Sequence, residues 1–83
     1  MTDSLMNDIY RHTLNNRMEI SKSSRCGCIS CRTIFAATEV VDYIDAGQTA
    51  LCPECGIDAV IGDATGVELT AELLATMNKK YFE

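Results

Sequence analysis

Apolar residues recur at three- and four-residue steps through the N-terminal segment. Leu5, Ile9, Tyr10, Leu14 and Met18 follow this rhythm, with Thr13 among them. The period predicts a helix from Ser4 to about Ile20, with Ser4 as its N-cap and Asp8 in its first turns. Ser21-Lys22-Ser23-Ser24 interrupts the pattern and reads as a polar loop and hinge. Further on, Val40, Tyr43 and Ile44 share one side at helical spacing. They predict a short middle helix ending at Asp45-Ala46-Gly47, with Gly47 as a left-handed cap, although Val40-Val41 also suits a strand. Gln48–Leu51 and Ile57–Gly62 are short apolar runs that could pair as an antiparallel hairpin around the segment between them. Asp63-Ala64-Thr65-Gly66 reads as a turn. Thr70 then caps a last helix whose stripe is Leu69, Leu73, Leu74, Met77 and Tyr81.

Two dithiol turns punctuate this pattern: Cys28-Ile29-Ser30-Cys31 and Cys52-Pro53-Glu54-Cys55-Gly56. Four thiolates spaced C-x2-C…C-x2-C match the tetrahedral ligand set of a structural zinc ion. Pro53 presets φ at the first inner position of its turn, and Gly56 permits the positive φ that commonly follows. The expected ligands are Cys28, Cys31, Cys52 and Cys55, one zinc per chain. Cys26 with Cys31 leaves four residues between ligands and remains a possible first pair; Cys26 with Cys28 leaves too few. Cys26 otherwise reads as a small buried thiol, with a redox-sensitive fifth thiol beside Arg25 as the sharper alternative.

Length and charge narrow the setting. A chain of 83 residues makes one small domain, here residues 1–20 as a helix and 21–83 as the metal-binding core. Its own apolar burial leaves a thin margin that a metal commonly supplements. The opening Met1-Thr2-Asp3-Ser4 is acidic and unlike a signal peptide, and no apolar run approaches bilayer length. Thiols kept for a metal fit a reducing, cytoplasmic setting. The net charge is −5, divided as +2 before Phe35 and −7 from Phe35 onward. The acidic part repels phosphates. Arg11, Arg17, Lys22, Arg25 and Arg32 form the one cluster that could meet nucleic acid.

Other candidates for chemistry are weaker. His12 is the only histidine, and a closed four-thiolate site leaves it no open metal position to serve. Asp58 and Asp63 flank a predicted strand, where capping a turn is the commoner role of Asp. No glycine-rich phosphate loop and no Ser/His/Asp set is present. The second knuckle resembles half of a zinc ribbon and equally half of a rubredoxin. Rubredoxins carry glycine where Arg32 stands and rely on a dense aromatic core, which this chain lacks.

The stretch Asp45–Asp63, with Gly47-Gln48-Thr49-Ala50-Leu51-Cys52-Pro53-Glu54-Cys55-Gly56 at its centre and Cys26-Gly27-Cys28-Ile29-Ser30-Cys31 before it, resembles a family of small bacterial cytoplasmic zinc-ribbon-like proteins. The resemblance runs over about residues 17–82. It departs from the family pattern at Ile29-Ser30, where an aromatic is common, and at Ala36-Ala37, where Ser-Pro is common. It implies zinc binding and a ribbon-like fold, and implies no activity. The expectation is therefore an α+β, zinc-ribbon-like domain with a short two-stranded hairpin and about three helices. Its expected role is that of a non-enzymatic protein-interaction module, monomeric or homodimeric through its N-terminal helix. A nucleic-acid-associated ribbon is the alternative, and a rubredoxin-like iron protein comes third.

Overall fold

The computed structural model describes residues 3–82. Its architecture is α+β and zinc-ribbon-like: helices packed on small antiparallel sheets around two cysteine turns. Helix α1 spans Asp3–Arg11 and α2 spans Arg17–Ser21. Strands β1 (Arg25–Cys28), β2 (Ile34–Ala36), β3 (Tyr43–Ile44), β4 (Thr49–Ala50) and β5 (Val60–Gly62) follow, and α3 (Ala71–Phe82) closes the chain. The order β2-β1-β5 forms one sheet, and β3-β4 forms the other.

The predicted N-terminal helix breaks in two. His12, Thr13 and Leu14 make i→i−3 backbone bonds, and Asn15 adopts the left-handed region at φ 48°. A short polar side chain tolerates that conformation better than most. The register changes at the corner, so Leu14 and Met18 face outward while Met6, Ile9 and Ile20 are buried. The reason lies in the next residue, whose side chain points inward. Asn16 Nδ2 donates to His12 O at 2.8 Å and to Val60 O at 2.7 Å, and Asn16 Oδ1 accepts from Ala50 N at 3.0 Å. One amide thus joins the helical corner to both sheets.

The Ser21–Ser24 segment is pinned rather than hinged. Ser23 Oγ donates to Glu19 O and accepts from Ala64 N, and the Asp63 carboxylate accepts from Ser24 N and Arg25 N. A Cβ on Gly62 would overlap Ser23 Oγ, so glycine permits this close approach.

The middle helix is also absent. Ala37–Glu39 forms a 3-10 turn, closed by Glu39 Oε2 accepting from Ala36 N at 2.9 Å. Val40–Asp42 then leads into β3, and the β-branched Val40-Val41 pair favours this extended backbone over helix. Tyr43 pairs with Ala50 and Ile44 with Thr49 across a turn in which Asp45, Ala46 and Gly47 all have positive φ. Gly47 is left-handed as expected, but within a hairpin rather than at a helix end. Consequently β4 pairs with β3, and β5 pairs with β1 (Cys26↔Gly62, Cys28↔Val60). The two flanks of the second knuckle do not pair with each other.

The last helix matches its pattern. Thr70 Oγ1 accepts from Leu73 N at 3.0 Å, and Leu73, Leu74 and Met77 are buried. Leu74 crosses β1 at Gly27, where a Cβ would sit 3.0 Å from Leu74 Cδ1. Helix α1 packs on α3 within the chain. Tyr10 and Tyr81 stack at 4.0 Å between centroids, Tyr81 donates to Asn7, and Lys80 pairs with Asp3 at 3.2 Å.

Asn16 generates the first prediction. Asn16→Ala strands Val60 O and Ala50 N in a buried position, at about 1–3 kcal/mol for each unsatisfied group. We expect a total loss of about 2–4 kcal/mol in urea unfolding at fixed metal content. A loss below 0.5 kcal/mol would show that these groups find other partners.

Candidate metal centre

The two cysteine turns are built alike. In the first, Arg32 N donates to Cys28 O at 2.8 Å and Cys28 N donates to Thr33 O at 3.0 Å. In the second, Gly56 N donates to Cys52 O at 2.9 Å and Cys52 N donates to Ile57 O at 3.0 Å. The residue after each second cysteine has positive φ, 63° at Arg32 and 76° at Gly56. Equal spacing therefore produces equal backbone geometry, although only one turn has glycine at its left-handed position.

Sheet pairing brings the turns face to face. Cys28 ends β1, Cys31 lies in the turn to β2, and Cys52 and Cys55 lie between β4 and β5. The β1–β5 register continues through Ile29 N donating to Ala59 O at 2.9 Å. Asn78 Nδ2 donates to Ile29 O and Ser30 O, so α3 grips the first turn from behind. The result is a cluster in which the Sγ atoms of Cys28, Cys31, Cys52 and Cys55 all lie within 4.8 Å of one another. Cys28 and Cys55 are 3.6 Å apart, and Cys31 and Cys52 are 3.7 Å apart. Four thiolates around one zinc at about 2.3 Å would stand about 3.8 Å apart, so the donor set fits a tetrahedral metal ion.

Hydrogen-bond donors surround three of the sulfurs. Cys52 Sγ accepts from Glu54 N at 3.3 Å and Cys55 N at 3.5 Å. The backbone N–H of Cys31 points at Cys28. Cys31 Sγ lies 3.3 Å from Thr33 Oγ1. Without a metal, burial raises the Cys28 and Cys52 thiols, against the pull of these backbone donors. Burial acts upward on Cys31 too, but the Thr33 hydroxyl and backbone outweigh it, with Cys52 and Cys28, and bring it to about 7.

The remaining candidates lie elsewhere. Cys26 is fully buried and outside the cluster, its thiol pushed up to about 12 by burial and then by Asp63. It behaves as a core residue opposite Phe35 and Gly62. His12 Nδ1 meets both Glu19 carboxylate oxygens at 2.9 and 3.0 Å, bridging α1 to α2 across the corner. Asp63 holds the Ser24–Arg25 backbone, and Asp58 is exposed outside the cluster. Thr33, Asn16 and Asn78 support the site without standing out in the sequence. Asn78 gave one signal: it sits four residues after Leu74, on the buried stripe.

The unequal turns yield a second prediction. Arg32 is exposed and left-handed, a conformation that costs a side-chain-bearing residue about 1–2 kcal/mol. Part of the relief in Arg32→Gly is offset by the greater freedom of glycine in the unfolded chain. We expect a net gain of about 0.5–1 kcal/mol with metal content unchanged, read by denaturant midpoint. Destabilisation would mean that the Arg32 side chain holds the turn. Comparisons of the whole chain with known protein families, with curated proteins and with solved structures return no match.

Proposed function

We propose that the cluster holds one structural zinc ion and that the zinc-fixed scaffold is a non-enzymatic module for binding another protein. The observation carrying the metal reading is the convergence of four sulfurs within 4.8 Å on two turns of matching backbone geometry. Bound zinc supplies one thing here: a cross-link between the β1–β2 turn and the β4–β5 segment. Cys28, Cys31, Cys52 and Cys55 would hold it as thiolates, and the backbone N–H groups at Cys28 and Cys52 would spread their charge. Four protein ligands close the coordination sphere, which favours structure over catalysis. Iron suits the same four sulfurs. The chain's sparse aromatic content, 6%, weighs against a rubredoxin-like role.

The partner-binding reading rests on charge and shape. A groove of about 420 Å³ runs between α1 and the segment after β5, with Ile9 and Val67 on its floor and Asp8 and Glu68 on its rim. A second hollow of about 390 Å³ continues it past Val67 and Glu68 to Glu72 and Leu73. An apolar floor with acidic edges suits a basic, amphipathic protein segment. Two of the five clustered basic residues are engaged elsewhere, which disfavours the nucleic-acid alternative. Arg11 lies 3.6 Å from Asp8, and Arg17 donates to Gly47 O and covers the Tyr43 ring at 4.7 Å.

Metal analysis of the purified chain should give one zinc. Cys26→Ala should keep it, whereas Cys28→Ala and Cys52→Ala should lose it together with much of the circular dichroism signal. Iron in place of zinc, or zinc loss in Cys26→Ala alone, would overturn the assignment. Protons compete with the metal for thiolates, so affinity falls as pH falls. We expect chelator-driven release to be at least tenfold faster at pH 5.5 than at pH 7.5.

A separate experiment addresses the surface. A protein captured from native lysate should persist after nuclease treatment and weaken when Glu68 and Glu72 are changed to Lys. Nuclease-sensitive capture, or steeply salt-dependent binding to random oligonucleotides, would favour the basic cluster instead.

A further inference from the structure

The four sulfurs are chemically unequal, and the inequality has a direction. Cys28 and Cys52 are buried, Cys31 is half-buried, and Cys55 is exposed. Each of the first three has a donor at hand: the Cys31 N–H for Cys28, the Thr33 backbone N–H and hydroxyl for the Cys31 thiolate, and two backbone N–H groups for Cys52. Among the described residues no N–H or hydroxyl donor reaches Cys55 Sγ, which has only the other sulfurs of the cluster around it, Cys28 Sγ at 3.6 Å among them. With all four sulfurs held as thiolates on the metal, hydrogen bonds draw charge off a sulfur and lower its intrinsic nucleophilicity, so the sulfur without them is the most reactive. Access agrees with charge. Pro53 to Asp58 is an unbroken exposed run, and nothing stands within 4 Å of where a Cβ of Gly56 would be.

We propose that Cys55 is the sulfur at which neutral hydroperoxides enter the cluster, and that Cys28 closes a disulfide with it and expels the metal. The proposal rests on the zinc reading above. The Cys55 thiolate attacks the terminal hydroxyl oxygen of the hydroperoxide. An S–O bond forms, the O–O bond breaks, and the leaving alkoxide or hydroxide takes a proton from water. Sulfur loses two electrons and peroxide oxygen gains them. The Cys28 thiolate then attacks the sulfenic sulfur, forming the S–S bond and releasing hydroxide. Two ligands are consumed, and the two that remain cannot retain zinc. The flanking Glu54 and Asp58, with the net −2 charge of a zinc tetrathiolate, repel anionic oxidants and leave uncharged peroxides as the fitting class.

The chain supplies a direct assay. Trypsin cuts after Arg25, Arg32 and Lys79, placing Cys26, Cys28 and Cys31 in one peptide and Cys52 and Cys55 in another. Metal analysis first establishes the zinc content of the full chain. The protein is then treated with a few equivalents of hydrogen peroxide, with a zinc-sensitive dye reporting release. Parallel samples are quenched with dimedone at early times or with an alkylating reagent at late times, then digested. We expect the first dimedone adduct on Cys55, followed by a cross-link between the two peptides mapping to Cys28 and Cys55, with one zinc released per disulfide. A first adduct on Cys31 or Cys52, or a Cys52–Cys55 disulfide that leaves the peptides separate, would overturn the proposal while the zinc reading stands. A chain purified without zinc would remove both, and the initial metal analysis would show it.

Discussion

Four sulfurs from two distant turns share a space less than 5 Å across, and much of the surrounding backbone serves that crowding. Thiolates brought this close repel one another unless a cation sits between them and donors point inward. The paired backbone bonds of each turn provide part of this. They place N–H groups against Cys28 and Cys52. The β1–β5 register provides the rest, because Cys28 lies opposite Val60 and leads its turn towards the segment that precedes β5.

Two asparagines stabilise this arrangement from outside. Asn78 ties α3 to the carbonyls of Ile29 and Ser30, and Asn16 joins the helical corner to β4 and β5. Both replace water at buried backbone groups, which a small core cannot otherwise afford to leave unpaired. Gly27 and Gly62 contribute by lacking side chains, one where Leu74 crosses β1 and one where Ser23 closes on β5. The helices therefore act as a clamp around the cysteine turns as well as a cover for the core.

The molecule's polarity follows from the same plan. Basic side chains near the α1–α2 corner are partly occupied by Asp8, Gly47 O and the Tyr43 ring, whereas Asp8, Glu68 and Glu72 edge an apolar groove. Within the described residues no helix is long and apolar enough to cross a membrane. The reactive edge of the cluster lies on the second turn, where Cys55 and its neighbours are exposed.

What could be read from sequence was local and repetitive. The spacing of Cys28, Cys31, Cys52 and Cys55 identified the cluster because a turn's own geometry sets where two sulfurs with two residues between them can point. The stripe of α3 and its Thr70 cap were equally legible, since helical period and capping act within one turn of chain. Tertiary structure decided everything that depended on a distant partner. The N-terminal period ran straight through Asn15-Asn16, yet the helix breaks there because the Asn16 amide is worth more to β4 and β5 than to a continuous helix. Val40–Ile44 fitted two periods over too few residues, and pairing with Thr49 and Ala50 selected the strand. The flanks of the second turn looked like each other's partners, but β4 pairs with β3 and β5 pairs with β1, which lies between it and β2. Local chemistry was visible in the order of residues; pairing was not, because it is a competition among segments that only the folded chain resolves.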